Sequence, residues 1–361
     1  MTTTGTHSRT DLETWALERA VELGAYGPVA GGNPRVGCVL LGPRGELLGE
    51  GYHRGAGTPH AEVAALAAVP ASRRHLLAGG TAVVTLEPCH HHGRTPPCSR
   101  ALHEAGVRRV VHAVADPDPA AAGGARWLRS VGVEVSTAAE AGLAPETRSR
   151  AADLSRTWCT AVRRGRPWLV AKTATTLDGR VAAVDGTSRW ITGPEARSHA
   201  HRFRAAVDAI VVGTGTALAD DPALTARGPA GPLPHQPRRV VVGERDVPAS
   251  ARVRQGPGEW CHLRTRDLGG AVTELYRLGA RHVLLEGGPT VLAAALRAGL
   301  VDELHAYVAP VVLGAGAGAV ADLGVRTLED AARWRTVDVR RLGDDMFLAA
   351  EMRRPVTEGE A

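Results

Sequence analysis

The stretch TLEPCHHHGRTPPC, residues 85–98, places two cysteines and three consecutive histidines within fourteen residues. It overlaps an apolar run, TAVVTL (81–86), that has the length and composition of a buried strand. Pro96 and Pro97 precede the second cysteine, and proline is favoured where a helix begins. The stretch therefore predicts a strand, then a loop rich in metal ligands, then a helix that begins near Cys98.

A second short segment, PHAEV (59–63), adds a histidine and a glutamate to the candidate ligands of a zinc site in this stretch. A zinc ion that activates water takes three protein ligands and keeps one position open. A histidine, a glutamate two residues later and a distant Pro-Cys and Cys pair are the signature of zinc deaminases, in which the glutamate moves protons. His60, Glu62, Cys89 and Cys98 match it, except that the second cysteine comes nine positions after the first rather than three. A closed zinc site made of both cysteines and two histidines is the alternative, but it leaves Glu62 unexplained.

Composition excludes several classes of protein. A length of 361 residues suggests two domains, and no apolar run approaches the roughly 20 residues that cross a bilayer. The first residues lack a signal-peptide pattern and the five scattered cysteines do not form a disulfide framework, so we expect a cytoplasmic protein. A net charge of +5 with dispersed arginines and 4% aromatic residues disfavours nucleic-acid binding and fits a phosphorylated small substrate equally well.

Strands and helices alternate along both halves of the chain, which predicts α/β layered domains. In the first half we predict helices over 12–23, 60–69 and 98–106, a hairpin of 36–41 with 45–53, strands over 81–88 and 107–114, a helix and a strand within 126–135, and a helical pattern over 138–163. In the second half we predict strands over 167–175, 209–215, 238–243, 281–288 and around 302–312 and 345–351, with helices over 193–206, 270–278 and 290–299 and a loop over 228–237. We place the domain boundary near residue 147, which gives domains 1–147 and 148–361.

Lys172 is the only lysine among the 43 basic residues of the chain. A composition that uses arginine almost everywhere would use it at ordinary surface positions too. A compact ammonium with an adjustable pKa is the property that arginine lacks. Lys172 is therefore a candidate site residue, although a chance survival of one lysine is the alternative.

Motifs along nearly the whole chain resemble the bifunctional deaminase/reductase family of riboflavin biosynthesis. In the first half these are NPRVGCV (33–39), GEGYHRGAGTPHAEV (49–63), the stretch 85–98 and AGVRRVV (105–111). In the second half they are KTATTLDGR (172–180), SRWITGPEAR (188–197), VGTGTALADDPALTAR (212–227), LLEGGPT (284–290) and GLVDELHAYVAPVVLG (299–314). The resemblance implies a cytidine-deaminase-like α/β/α domain followed by a dihydrofolate-reductase-like α/β domain.

For the first domain, the resemblance implies one Zn²⁺ per chain, held by His60, Cys89 and Cys98, with Glu62 as the proton shuttle. The reaction would remove the 2-amino group of 2,5-diamino-6-ribosylamino-4(3H)-pyrimidinone 5′-phosphate. The implied substrate contacts are Asn33, His53, His91, Arg94 and Asp116. In ADPDPAAAGGA (115–125), Asp118 and Gly124 replace the asparagine and later arginine of the family. This departure motivates an alternative, in which the same chemistry acts on another pyrimidine-derived metabolite.

For the second domain, the resemblance implies NADPH-dependent reduction of the ribosyl group to ribityl. No Gly-x-Gly-x-x-Gly motif follows a strand convincingly, as expected for a dihydrofolate-reductase-like domain. The implied cofactor contacts are Ala174, Trp190, Thr216, Asp220, Gly288, Pro289, Thr290, Val291, Leu292, Ala293 and Ala294. The implied substrate contacts are Ser188, Arg204, Leu224, Arg227 and Glu286, with both arginines on the 5′-phosphate and Lys172 at the ribose as a catalytic group. Two sites in one chain are compatible with a homo-oligomer.

Overall fold

The computed structural model describes residues 8–91 and 96–353 and divides the chain into two compact units, Met1–Arg164 and Gly165–Ala361. The division therefore lies later than our expected boundary near residue 147. The reason is that two helices, α5 (Pro145–Leu154) and α6 (Arg156–Arg164), belong to the N-terminal unit. Ala151 of α5 and Cys159 of α6 are both buried in the core of that unit.

The N-terminal unit is a five-stranded sheet between two layers of helices. The strands are β1 (Gly37–Leu41), β2 (Leu47–Tyr52), β3 (Thr81–Leu86), β4 (Arg109–Val114) and β5 (Glu134–Thr137), in the order β2-β1-β3-β4-β5. The pairs β1–β2 and β1–β3 are antiparallel, whereas β3, β4 and β5 run parallel. The helices that precede α5 are α1 (Arg9–Gly24), α2 (Ala61–Ala68), α3 (Cys98–Glu104) and α4 (Gly124–Ser130), with a 3₁₀ turn at Ala71–Leu77.

The buried strands explain why both faces of this sheet are covered. All five residues of β1 are buried, and successive side chains of a strand point to opposite faces. Val39 packs in the cluster that contains α1 and α5, whereas Cys38 and Leu40 pack in the cluster that contains α2, α3 and α4. The second helical layer therefore brings the N-termini of α2 and α3 to the end of β3.

The C-terminal unit is built on an eight-stranded sheet. Its elements are β6 (Trp168–Thr176), β7 (Arg180–Ala182), α7 (Pro194–Phe203), β8 (Ala209–Gly213), α8 (Thr214–Asp220), β9 (Arg227–Gly228), β10 (Gly231–Pro232), β11 (Arg238–Val242), β12 (Trp260–Leu263), α9 (Leu268–Arg277), β13 (His282–Leu285), α10 (Pro289–Arg297), β14 (Glu303–Ala309), β15 (Ala317–Gly318), β16 (Trp334–Leu342) and β17 (Asp345–Met352). The strand order is β12-β11-β8-β13-β6-β14-β17-β16. The first six strands run parallel to one another, β17 is antiparallel to β14, and β16 is antiparallel to β17. In parallel sheets ligands bind at the carboxyl ends of the strands, and these ends define one edge of this sheet.

Both halves are α/β as predicted, but several elements differ from the expectation. Strands β12 and β16 and helix α8 were not expected, and the loop over 228–237 contains part of the short β9–β10 pair. The helical pattern over 138–163 is interrupted, because a turn precedes α5 and Ser155 separates α5 from α6. Among the described residues, no helix is long and apolar enough to cross a membrane.

Candidate functional site

Three metal-ligating side chains meet at the end of β3 in the N-terminal unit. His60 is the N-cap of α2, Cys89 follows β3, and Cys98 is the first residue of α3. The His60 Nδ1 atom lies 3.6 Å from the Cys89 Sγ and 3.4 Å from the Cys98 Sγ. Tetrahedral zinc, with bonds of about 2.0–2.3 Å, separates its ligands by roughly 3.3–3.8 Å. The donor set and its spacing therefore fit a zinc ion with one position left open.

The two thiols are in unequal electrostatic environments. The backbone N–H of Cys98 donates to the Cys89 Sγ over 3.5 Å. Hydrogen bonding from Cys98 and then from His60 lowers the pKa of Cys89, while Cys89 and burial raise the pKa of Cys98. Because thiolate is the form that binds metal, the first cysteine is prepared as a ligand, and a bound cation favours ionisation of the second.

Glu62 lies beside this cluster as the second residue of α2. It is only 3% exposed. Burial and the nearby Cys89 thiolate raise the pKa of Glu62 to about 7. A carboxyl group with a pKa near neutral both accepts and returns protons efficiently. The structure thus brings together the three ligands and the carboxyl group that the sequence predicted.

The consecutive histidines have different environments. The Nδ1 atom of His90 lies 2.9 Å from the Ser99 hydroxyl, and its ring stacks on Trp127 at 5.0 Å. The ring of His91 lies 6.5 Å from that of His60. Its Nδ1 atom is buried without a hydrogen-bond partner among the described residues. His90 thus connects the segments that follow the two cysteines, whereas the His91 Nδ1 atom is available to a ligand as far as residues 8–91 and 96–353 show.

Two more of the expected deaminase substrate contacts are His53 and Asn33. His53 is buried edge-on to His60, with ring centroids 5.3 Å apart. Its Nδ1 atom lies 3.2 Å from the Pro59 carbonyl and must donate to it, so Nε2 is the acceptor when the ring is neutral. Burial lowers the pKa of His53, which favours this neutral form. Asn33 donates to the Gly31 carbonyl of its own turn over 3.0 Å.

Asp116 is close enough to influence the metal ligands electrostatically. Its pKa is raised to about 6, chiefly by burial. The pKa of His60 is raised first by its hydrogen bond to Cys89 and further by the Asp116 charge. The remaining expected contact, Arg94, lies outside the described residues.

Glu87, which sequence reasoning missed, holds the loop that carries Asp116. Its carboxylate accepts backbone N–H groups of Asp116, Gly123 and Ala125 at 3.0–3.3 Å. Asp118 accepts the N–H of Ala120 at 3.0 Å, as an asparagine side chain would also do. The only signal for Glu87 was its place between the buried strand and Cys89.

The glycine at position 124, where the family has arginine, has a steric explanation. A Cβ atom at this position would lie 1.8 Å from the Pro88 carbonyl oxygen. Any larger residue, including the arginine typical of the family, therefore cannot occupy this backbone position without a shift. Local packing therefore accounts for Gly124, whereas the turn at Asp118 would accept either residue.

In the C-terminal unit, a cavity of about 850 Å³ opens at the carboxyl edge of the parallel strands. Several of the expected cofactor contacts line it: Ala174, Thr216, Asp220, Gly288, Pro289, Thr290, Val291 and Ala294. Among the described residues, the wall does not include Trp190, Leu292 or Ala293. Trp190 is exposed with Arg197 stacked 4.6 Å from its ring, whereas Leu292 and Ala293 are buried. Side-chain contacts of these two with a ligand in the cavity are therefore not supported.

Close packing forms the floor of the cavity. A Cβ atom on Gly213 would lie 2.6 Å from the Val291 side chain, so only glycine allows α10 to approach the end of β8. The N–H of Gly288 donates to the Thr216 hydroxyl over 3.2 Å. This glycine turn at the start of α10 presents backbone to the cavity, as a pyrophosphate site requires.

A cluster of charged groups lies at one end of the cavity. Lys172 and Glu286 line the wall, and Arg204 forms a bidentate pair with Glu286 at 2.7 and 2.8 Å. Burial opposes the ionisation of Glu286, but Arg204 and Lys172 outweigh it and hold its pKa at about 2. Burial lowers the pKa of Lys172, and Glu286 partly compensates. The Lys172 Nζ atom lies 5.7 Å from the centre of the Tyr307 ring.

Only some of the residues expected to contact the reductase substrate line the cavity. Ser188 and Glu286 line the cavity. Arg204 is occupied by Glu286, by His201 at 3.2 Å and by the Thr225 carbonyl at 3.1 Å, so its contact with a phosphate is not supported. Leu224 is buried in the core with a left-handed backbone (φ 51°), and Arg227 is exposed.

Comparisons with known proteins assign both units. The model of the cytidine and deoxycytidylate deaminase zinc-binding region matches residues 10–114, and the model of the RibD C-terminal domain matches residues 167–348. The riboflavin biosynthesis protein RibD of Mycobacterium tuberculosis is 47% identical over 318 residues, which cover 88% of this chain and 90% of that protein. The Escherichia coli RibD is 39% identical over 352 residues, covering 88% of this chain and 92% of that protein.

Two solved structures point to the same family as the sequence comparisons. The structure of Acinetobacter baumannii RibD superposes with a TM-score of 0.84 at 34% identity, covering 96% of this chain and all of that one. A Thermotoga maritima diaminohydroxyphosphoribosylaminopyrimidine deaminase/5-amino-6-(5-phosphoribosylamino)uracil reductase superposes with a TM-score of 0.80 at 28% identity, with the same coverage. The chain therefore belongs to the RibD family of bifunctional deaminase/reductase enzymes of riboflavin biosynthesis.

Proposed function

We propose that the N-terminal unit deaminates 2,5-diamino-6-ribosylamino-4(3H)-pyrimidinone 5′-phosphate and that the C-terminal unit then reduces the ribosyl group to ribityl. The cofactors of the enzyme are Zn²⁺ and NADPH. The observation that carries the proposal is the cluster of His60, Cys89 and Cys98 with the buried Glu62 beside it. The name of the Thermotoga maritima relative supports the choice of substrate.

In the deaminase site, Glu62 would move the protons. Zinc, when bound, lowers the pKa of water toward neutrality. Glu62 takes a proton as water adds to the ring carbon that bears the 2-amino group. Glu62 passes that proton to the ring nitrogen, then takes the proton of the new hydroxyl group and gives it to the amino nitrogen, which leaves as ammonia while the carbonyl forms. A carboxyl group with a pKa raised by burial suits both steps.

Three neighbouring groups would bind the pyrimidine. His53 presents Nε2, His91 has a buried Nδ1 with no partner in the described part of the chain, and Asp116 adds a carboxyl group with a raised pKa. Together they offer donors and acceptors of the kind a polar heterocycle needs. We also propose that Arg94, which lies outside the described residues, contacts the substrate.

In the reductase site, Lys172 and Glu286 would act at the ribose. NADPH, when bound, would supply the hydride that reduces the C1′ atom of the deaminated product. The ring oxygen leaves C1′ as the ring opens and needs a proton, which the Lys172 ammonium donates. Glu286 stays ionised beside it and favours the charged form of Lys172, while Arg204 holds Glu286 in place.

The decisive experiment follows ammonia release and NADPH oxidation together, starting from the diamino substrate. Glu62→Ala should abolish ammonia release and, from this substrate, NADPH oxidation, but the deaminated product should restore NADPH oxidation. Lys172→Ala should abolish only NADPH oxidation. If Lys172→Ala oxidises NADPH at the wild-type rate, the role of Lys172 is wrong. If Glu62→Ala still releases ammonia, the deaminase assignment is wrong.

The substrate is a phosphorylated small molecule, and we propose no nucleic-acid partner. None of the five cysteines, each within the described residues, forms a disulfide, in line with the cytoplasmic location that we propose. The alternative pyrimidine substrate rests on Asp118 and Gly124, and of these two Gly124 has a structural reason in its close contact with the Pro88 carbonyl. A homo-oligomer stays a prediction, for which light scattering is the measurement.

A further inference from the structure

The cavity of the C-terminal unit extends well beyond the groups that act at the ribose. Its wall runs from Lys172 on β6 past the end of β13 and β8 to residues 243–245 after β11 and residues 265–266 after β12. Four strand spacings separate β6 from β12, which is about 19 Å at roughly 4.8 Å each. A ligand that fills this cavity is therefore extended across the sheet edge.

The direction of an extended cofactor in this cavity follows from the chemistry of its two ends. This step rests on the proposed function, which puts the nicotinamide beside Lys172 and Glu286. The glycine turn at Gly288 lies at the end of the next strand and suits the pyrophosphate. The adenosine must then lie at the far end, against the residues that follow β11 and β12.

That far end carries an unusual pairing of charges. Arg245 and Arg266 both line it, together with Glu244 and the Thr265 hydroxyl. Glu244 pairs with Arg266 at 2.8 Å, and both side chains are more than half exposed. An acidic residue at a strand end suits the 2′-hydroxyl of NADH, whereas arginine suits the 2′-phosphate of NADPH. This chain has both kinds of residue at one place.

We propose that Arg245 and Arg266 bind the adenosine 2′-phosphate of NADPH and that Glu244 competes with that phosphate for Arg266. A guanidinium binds phosphate through two parallel hydrogen bonds, which is stronger than an exposed pair with one carboxylate. The phosphate therefore draws Arg266 away from Glu244. Glu244 also repels the phosphate, so it reduces the preference for NADPH over NADH without reversing it.

The test measures dissociation constants by calorimetry with the full-length zinc-loaded enzyme, using NADP⁺, NAD⁺ and adenosine 2′-monophosphate. Arg245→Gln and Arg266→Gln should each weaken NADP⁺ and adenosine 2′-monophosphate by about 10- to 100-fold and leave NAD⁺ within twofold. Glu244→Gln should tighten NADP⁺ several-fold and leave NAD⁺ unchanged or weaker. Arg264→Gln is the matched control. Arg264 follows β12, as Arg266 does, but it pairs with Asp246 and is not part of the cavity wall.

A blocking variant separates failure of this inference from failure of the proposed function. Thr290 is exposed and lines the cavity, so Thr290→Trp should fill the pyrophosphate region without disturbing the core. If Thr290→Trp removes binding of both dinucleotides but the two arginine variants bind NADP⁺ normally, the cavity holds the cofactor and our inference is wrong. If Thr290→Trp changes neither affinity, the cofactor site itself is misplaced and both conclusions are overturned.

Discussion

Glu286, which lines the reductase cavity, forms a bidentate pair with Arg204, although the two are 82 positions apart in the sequence. Each side chain is at most 12% exposed. Removing one partner of such a pair leaves the other charge buried and uncompensated. We therefore expect their main effect to be the stability of the cavity wall rather than direct contact with phosphate.

The pH dependence of stability tests this pair. The pKa of Glu286 is about 2 in the folded chain and ordinarily about 4.3 when unfolded. A lowered pKa means that the carboxylate stabilises the fold fully above pH 4.3 and loses its effect as the pH falls toward 2. Glu286→Gln should lower the free energy of unfolding by about 3–5 kcal/mol at pH 6 and by clearly less at pH 3.

Urea unfolding followed by tryptophan fluorescence measures that difference. Glu329→Gln is the control, because Glu329 is exposed and should have no effect at either pH. An equal loss of stability at pH 6 and pH 3 would contradict the lowered pKa.

At the residue scale, the residues that the sequence singled out lie where the structure forms a metal-ligand cluster or a cavity wall, and their roles stay predictions. His60, Glu62, Cys89 and Cys98 were identified by spacing, and Lys172 by its uniqueness. Side-chain pairs between distant positions could not be predicted from the sequence, because no nearby residue indicates that Arg204 pairs with Glu286. For the same reason, Arg204 was expected to hold a phosphate.

At the element scale, the strands that the sequence predicted are the buried ones. The strands β3, β8 and β13 are mostly apolar, almost wholly buried, and pack on both faces. By contrast, β16 is an edge strand with six exposed residues, and β12 is half-buried throughout. Their residues carry little hydrophobic pattern, so periodicity could not reveal them.

The start of α4 gives a prediction at this scale. Because a Cβ on Gly124 would lie 1.8 Å from the Pro88 carbonyl, Gly124→Ala should push α4 away from the segment that carries Cys89. We expect a loss of about 1–3 kcal/mol in stability and faster transfer of zinc to a chelator. Arg126→Ala, on the exposed side of the same helix, is the control. Wild-type zinc retention in Gly124→Ala would show that the loop adjusts freely.

At the scale of the whole molecule, the position of the division between the units is testable. We propose that 1–164 is the smallest stable deaminase unit, because α5 and α6 contribute Ala151 and Cys159 to its core. A fragment of residues 1–164 should fold cooperatively and release ammonia from the diamino substrate. A fragment of residues 1–147 should lose cooperative unfolding in calorimetry. Equal melting temperatures for the two fragments would restore the earlier boundary.

The single lysine of the chain also has a practical consequence. Lys172 lies within β6, between β13 and β14 in the middle of the eight-stranded sheet. A lysine-specific endoprotease therefore has one peptide bond to cut, and a strand in mid-sheet is cleaved only after the sheet opens. Brief proteolysis in increasing urea would count unfolded C-terminal units alone, since unfolding of the N-terminal unit exposes no cleavage site.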